Sequence, residues 1–336
     1  MNSKPLIGIT IGDPHGIGPE VSLKALANIR TDLNCTPILI GDLQVLRNTA
    51  EQLQIPIELQ PIHRVISNAE STTAISVLDN DNFDANSVQL GTLSANAGFA
   101  AVDWVLTAGN LAMENEIQAI VTAPINKEAA RLAGCGEVGH MEIFQTLTGV
   151  SSCATMLSTG NLRVVHLTTH RSLRIACDYV TQDNILDKLI LTDTTFKSWG
   201  MKNPKIGVAA LNPHASDGGL IGTEEAEHII PAVEKAQSLG ISVTGPIGAD
   251  TIFHQAINGG YDVVLAMYHD QGHIPIKVHG FEKSISINLG FPFVRTSVDH
   301  GTAFDIAGKG IADSSSMEEA LKTAVTLASS KGLPQI

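Results

Sequence analysis

Three histidines occupy one kind of position in this chain. His170 follows the apolar run "LRVVHLTT", His214 follows "KIGVAAL", and His269 follows "YDVVLAMY". Each stands where a strand-like run gives way to a polar loop. In open α/β sheets, ligands collect just past the carboxyl ends of the strands, so three such imidazoles can converge. Three neutral imidazoles with an open position suit a divalent metal acting as a Lewis acid. A single loop histidine more often caps a turn or hydrogen-bonds backbone; the shared position of three favours ligation. His166 and His170 are also four apart, a zinc spacing on a helix. Val164, Val165, Thr168 and Thr169 are β-branched and favour a strand instead, so His170, nearer the strand's end, is the better ligand candidate.

A second group of residues points to an anion. Lys277 and Arg295 lie among apolar and Pro residues in "HIPIK" and "PFVRTS", and Lys127 lies in "TAPINKEA". Isolated cations are usually solvated, but a cation in apolar surroundings needs an anionic partner, and a substrate phosphate or carboxylate supplies one. In "IGDPHGIGPE", Gly16 and Gly18 precede a helix start, where free N–H groups can meet an anion or simply form a tight turn. The stretch is neither G-x-G-x-x-G nor a P-loop. "SVDHGTAFDIAGKGIADS" (297–314) reads as a His-Gly-Thr turn leading into a short helix that ends at Gly308. "AMYHDQGHIPIKVHGF" (266–281) reads as a Gly- and Pro-punctuated loop crowded with His269, Asp270, His273, Lys277 and His279.

The elements that must hold these residues alternate. "LIGITIG", "TPILIGD", "IQAIVTAP", "KIGVAAL" and "YDVVLAMY" read as buried strands, and "ATMLS" with "LRVVHLTT" as a strand pair. Helical patterns fall over 19–29, 97–114, 183–200, 223–240 and 316–330, with Pro19 in a first turn where its missing N–H costs nothing. This alternation predicts an α/β fold with parallel or mixed sheets covered on both faces. Residues 61–94 are polar and weakly patterned, which predicts loops or an edge hairpin. A domain boundary is expected near helical 126–133, and 336 residues exceed what one core usually holds.

Composition bounds the partners. The net charge is −13, from 21 basic and 34 acidic residues, with no basic run. Such a chain repels phosphate backbones and anionic membranes, so neither nucleic acid nor membrane is an expected partner. No signal-peptide pattern opens the chain and no long apolar window exists. The four cysteines form no C-x-x-C pair and read as reduced thiols of a cytoplasmic protein.

Taken together, "IGDPHGIGPE", "VTAPINKEA", "GHMEIFQTLTG", "HLTTHRSL", "LNPHASDGG", "GPIGADTIF", "AMYHDQGHIPIK" and "LGFPFVRTSVDHGTAFDIAGKG" resemble the 4-hydroxythreonine-4-phosphate dehydrogenase (PdxA-like) family along almost the whole chain. The resemblance implies two α/β/α domains, 1–127 plus 305–336 and 128–304, with an interdomain cleft, as in isocitrate and isopropylmalate dehydrogenases. It implies a homodimer whose site is shared between subunits. It implies a divalent metal (Zn, Mg, Co or Mn) on His170, His214 and His269, and substrate contacts from His140, Met141, Lys277, Ser286 and Arg295. NAD would lie against His300, Gly301, Thr302 and Asp305. His140 and Asp250 are the candidate catalytic bases; Asp250 suits equally the N-cap of the helix in "DTIFHQA".

The implied reaction is NAD-dependent oxidation of the secondary alcohol of 4-hydroxythreonine 4-phosphate, followed by decarboxylation of the β-keto acid, a step of pyridoxal phosphate synthesis. Two positions depart from that pattern: Met141 stands where the family usually has Thr, and Ser286 where it usually has Asn. "HDQGHIPIK" is similar to a second branch, which oxidises D-threonate or D-erythronate 4-phosphate. "DPHGIGPE" and "NPHAS" are similar to a third, which dehydrogenates a cis-dihydrodiol dicarboxylate. Having both Lys277 and Arg295 favours a phosphorylated or otherwise anionic substrate. Metal-dependent phosphate-ester hydrolysis and a ligand-binding sensor without catalysis are the other classes the residues allow.

Overall fold

A computed structural model describes residues 4–65 and 73–334. The chain divides into two compact units, Met1–Ser151 with Phe291–Ser329, and Ser152–Gly290 with Ser330–Ile336.

In the first unit, chain order runs β1 (Leu6–Thr10), α1 (Gly18–Ile29), β2 (Thr36–Ile40), α2 (Leu43–Gln52), β3 (Leu59–Ile62), β4 (Ile75–Leu78), α3 (Ala95–Met113), β5 (Ala119–Thr122), α4 (Lys127–Leu132) and α5 (His140–Thr148). The second unit holds β6 (Ala154–Thr159), β7 (Leu162–His166), α6 (Leu173–Asp178), α7 (Gln182–Ser198), β8 (Ile206–Ala209), α8 (Ile230–Ser238), β9 (Val243–Ile247), α9 (Ala249–Ile257), β10 (Val263–Ala266), α10 (His269–His279) and β11 (Ile285–Leu289). The chain then returns to the first unit with β12 (Val294–Val298) and α11 (Ser315–Ala328).

The first unit's strands lie in the order β3-β4-β2-β1-β5-β12, and every neighbouring pair is parallel. In the second unit the order is β11-β6-β7-β10-β8-β9. There the β11–β6 and β6–β7 pairs are antiparallel and the rest parallel. Every residue of β1, β5, β7, β8, β10 and β12 is buried. Successive strand side chains point to opposite faces, so these strands are covered on both. The second unit's core shows what covers one: Ile252, Phe253 and Ala256 of α9 and Ile276 of α10 pack with Leu162, Val164, Ala209, Val264 and Ala266 of the strands. The α/β alternation is therefore as the sequence pattern predicts.

Three local expectations give way. β3 and β4 pair in parallel at the sheet edge, so of the two alternatives for 61–94, loops or an edge hairpin, the hairpin gives way among the described residues, because a parallel pair needs a crossover; residues 66–72 of that stretch lie outside the described residues. Residues 304–308 form turns closed by i→i+3 bonds such as Ile306 N–H to Ala303 O, 3.0 Å, rather than a helix. "HDQGHIPIKVH" is the helix α10, with Pro275 inside it, rather than a loop. Among the described residues no helix is long and apolar enough to cross a membrane.

Candidate functional site

In the second unit, β7, β10 and β8 are neighbours and parallel, so their carboxyl ends point the same way. The loops bearing His170, His269 and His214 leave from those three ends. Gln271 pins two of them: its Nε2–H donates to Ala210 O (2.6 Å) and its Oε1 accepts from Met267 N (2.7 Å). Thr168 Oγ1 donates to Met267 O at 3.0 Å and ties in the third. Sequence reasoning missed Gln271, since nothing in composition distinguishes a buried clamp from an exposed glutamine.

The rings of His170 and His269 lie 5.8 Å apart, centre to centre. Two imidazoles on one tetrahedral zinc, with Zn–N near 2 Å, have ring centres roughly 5 Å apart. This pair therefore fits a shared ion. His269 Nδ1 is 2.7 Å from Asp270 Oδ1. A carboxylate only accepts, so Nδ1 carries the proton and Nε2 is left as the donor to a metal. His214 is placed differently. Its Nδ1 is 3.3 Å from Asp217 Oδ2, in a run from His214 to Asp217 whose φ angles are all positive. Among the described residues, no three His, Cys, Asp or Glu side chains gather closely enough to hold a metal. One chain thus brings together two of the three imidazoles.

Two further histidines stand beside His269. His273 stacks on it at 3.6 Å and 11°, and His166 lies 4.5 Å from His273. Burial, then the neighbouring His273 and His269, push His166 down to about 3, so it is neutral. Lys277 Nζ donates to Ser284 Oγ (3.1 Å) and lies 4.8 Å over the Phe281 ring. Ser286 is half-buried on β11, opposite Leu157 of β6. Asp250 is exposed in the first turn of α9, but the N-cap position is Gly248. The capping alternative for Asp250 therefore fails by position.

The first unit repeats the logic. β1, β5 and β12 are adjacent and parallel, and "IGDPHG", "TAPINK" and "DHGTAFD" follow their carboxyl ends. Arg295 is buried on β12 and donates to Thr122 Oγ1 of β5. Burial pushes its guanidinium down to about 9, which still leaves it cationic at neutral pH. His140 opens α5 as its first residue. Burial, then the positive charges of Arg295 and Lys127, hold it well below the usual imidazole range. Its Nε2 is shielded from water and has no hydrogen-bond partner. Met141 follows it, half-buried. The loop donors expected for an anion near Gly16 and Gly18 are partly engaged: Gly16 N–H donates to Asp13 O and Ile17 N–H to Thr302 O, both 3.0 Å. A Cβ on Gly18 would fall 2.2 Å from Ile11 O, so that glycine serves a close turn. His300 Nε2 is likewise shielded and unpartnered. Gly301 faces open space, while Thr302 is half-buried and Asp305 exposed.

Chemistry-bearing residues beyond the carboxyl ends of adjacent parallel strands, in both units, are the build of an α/β enzyme. Residues 33–324 match the family model for pyridoxal phosphate biosynthetic protein PdxA, and the chain belongs to that family. It is 43% identical over 321 residues to a candidate D-threonate 4-phosphate dehydrogenase of Clostridium botulinum, covering 96% of each chain. A crystal structure of 4-hydroxythreonine-4-phosphate dehydrogenase from Klebsiella pneumoniae superposes with a TM-score of 0.89 at 41% identity, covering 97% of this chain and 100% of that one. A further structure from Salmonella typhimurium, titled as a candidate 4-hydroxythreonine-4-phosphate dehydrogenase, gives 0.88 at 42% identity, covering 96% and 100%.

Proposed function

We propose that the chain is an NAD-dependent dehydrogenase that oxidises the secondary alcohol of a four-carbon, 4-phosphorylated hydroxy acid. The observation that carries this reading is the buried Arg295 beside a neutral, water-shielded His140, in a chain whose relatives are named for 4-phosphorylated substrates. D-threonate 4-phosphate is the preferred substrate. The Clostridium botulinum relative carries that name, and Met141 and Ser286 stand where the biosynthetic pattern has Thr and Asn. 4-Hydroxythreonine 4-phosphate is the second reading, favoured by the name of the Klebsiella pneumoniae structure.

The roles follow from chemistry. Arg295, with Lys127 and Lys277, takes the substrate's negative charge; a guanidinium grips phosphate oxygens in a two-pronged fork. His170 and His269 would hold a divalent metal, zinc or cobalt by the preference of imidazole donors. A homodimer with the site shared between subunits supplies the third imidazole, which accounts for one chain gathering only two. The metal, when bound, supplies Lewis acidity at the substrate hydroxyl. His140, neutral and shielded, accepts that proton at Nε2, and exposed Asp250 is the alternative base. His300, Gly301, Thr302 and Asp305 would hold NAD, which would supply the hydride acceptor. Gly301 leaves the backbone open for close approach, and His300 offers an unpartnered nitrogen. Oxidation at the carbon next to the carboxylate-bearing one gives a β-keto acid, which loses carbon dioxide.

A substrate panel with NAD and added zinc or cobalt tests this. It contains D-threonate, D-erythronate and 4-hydroxythreonine 4-phosphates and the unphosphorylated acids. Reduced nicotinamide should appear with the phosphorylated substrates and be greatest with D-threonate 4-phosphate. Equal rates without the phosphate would refute the anion pocket, and phosphate release without NAD reduction would mark a hydrolase.

A further inference from the structure

The metal reading leaves two imidazoles without a task, and they stand directly behind one that it uses. His273 lies one turn after His269 on α10, and the two rings are stacked nearly parallel, 3.6 Å apart at 11°. His273 Nδ1 is 3.1 Å from His269 O. The carbonyl only accepts, so Nδ1–H donates and the ring is anchored to its own helix. The ring of His166, the last residue of β7, lies 4.5 Å from that of His273, tilted by 48°. His166 is 2% exposed, and both its ring nitrogens are shielded from water.

This column carries two costs that packing alone does not require. A buried polar ring whose hydrogen bonds are not all met is less stable there than an apolar side chain of the same size. Gly272 sits inside α10, where glycine weakens a helix. A Cβ at that position would fall 2.3 Å from His166 Nε2 and 2.7 Å from Val164 Cγ1, so the glycine is what lets the His166 ring fit under the helix. Meanwhile His269 is the first residue of α10 and partly exposed. Asp270 fixes which nitrogen carries its proton, but one hydrogen bond leaves the ring free to pivot. A flat ring stacked against it removes that freedom.

We propose that His273, backed by His166, is a positioning residue that fixes the ring plane of His269 and so presents its Nε2 to the metal. The proposal rests on the metal reading given above. Hydrogen-bonded partners that orient a ligating histidine typically change metal affinity by roughly 10–100-fold when lost, and a stacked ring that fixes the same plane acts at the lower end of that range.

The test is titration of the full-length, metal-free protein with Co2+, read by ligand-field absorption, alongside the thermal midpoint of each metal-free variant. H273L removes the flat ring and should weaken Co2+ binding by about tenfold. H273F restores a flat ring and should come back to within about threefold of wild type. H273Q gives the same reading as H273L should the latter fail to fold. A merely structural role would move the thermal midpoints and leave the Co2+ affinities alike. The proposal is overturned if H273L and H273Q bind Co2+ as wild type does, or if H273F is as weak as H273L. H269A separates this from the reading beneath it. Loss of Co2+ binding in H269A with no effect at 273 overturns the stacking role alone, whereas undiminished binding in H269A overturns both.

Discussion

Arg295 and His140 carry the case for an anionic substrate at the scale of single residues. Arg295 is 4% exposed, and a charge held that far from water gains most when a ligand brings the opposite charge. Arg295→Gln should therefore raise KM for the phosphorylated substrate by roughly 10–100-fold, the worth of a charge-assisted hydrogen bond. The unphosphorylated acid should be little affected. Steady-state kinetics on the two substrates reads the difference, and an equal effect on both would place the phosphate elsewhere. Gly272 makes a second prediction at this scale. Gly272→Ala drives a methyl to within 2.3 Å of His166 Nε2 and should cost about 1–3 kcal/mol by overpacking, despite the better helix propensity of Ala. Denaturant unfolding measures it; a more stable variant would show that the ring yields. The nearness of His170 and His269 was legible in the sequence because position after an apolar run is a local signal. The stacking of His273 was not, because ring-on-ring contact leaves no trace in spacing.

At the scale of elements, the segment after β8 stands out. His214, Ala215, Ser216 and Asp217 have φ of 51°, 54°, 62° and 45°, a left-handed turn that costs each L-residue about 1–2 kcal/mol. Ala215→Gly, which keeps the turn without a Cβ, should stabilise the protein by about 1 kcal/mol in thermal or denaturant unfolding. A loss of stability would mean the Ala215 methyl contributes packing worth more than the strain. Strain of this kind gathers where a chain must aim a side chain, here the proposed ligand His214. The alternation of strands and helices was readable from hydrophobic runs, because strands buried on both faces are continuously apolar. α10 was not, because Gly272 and Pro275 are loop signals in isolation. Only the strand beneath shows why the glycine is there. The same limit explains residues 61–94: pairing direction depends on partners distant in the chain, and weakly patterned sequence does not name them.

For the whole molecule, each unit contains an imidazole held neutral by its surroundings: half-buried His140, its Nε2 shielded, in the first and buried His166 in the second. The unfolded chain takes up a proton on each near pH 6.5, but the folded chain resists it until far lower, near 3 for His166. The unfolded state thus binds more protons below pH 6.5. Stability is fully present above that value and is lost as pH falls toward 3. Asp13, raised by burial, acts in the opposite sense, so a variant isolates the imidazole part. The urea midpoint should fall between pH 7 and pH 5.5 in the wild type (about those values suffice, given an unperturbed histidine) and fall less in His166→Leu. Parallel pH slopes for the two proteins would contradict the assignment.

The most direct test of the central claim uses the intact, metal-stripped chain with NAD and D-threonate 4-phosphate. Reduced nicotinamide should form only after zinc or cobalt is restored, and His269→Ala should stay inactive with the metal present while remaining folded. Full turnover by the stripped protein, or by His269→Ala, would contradict it.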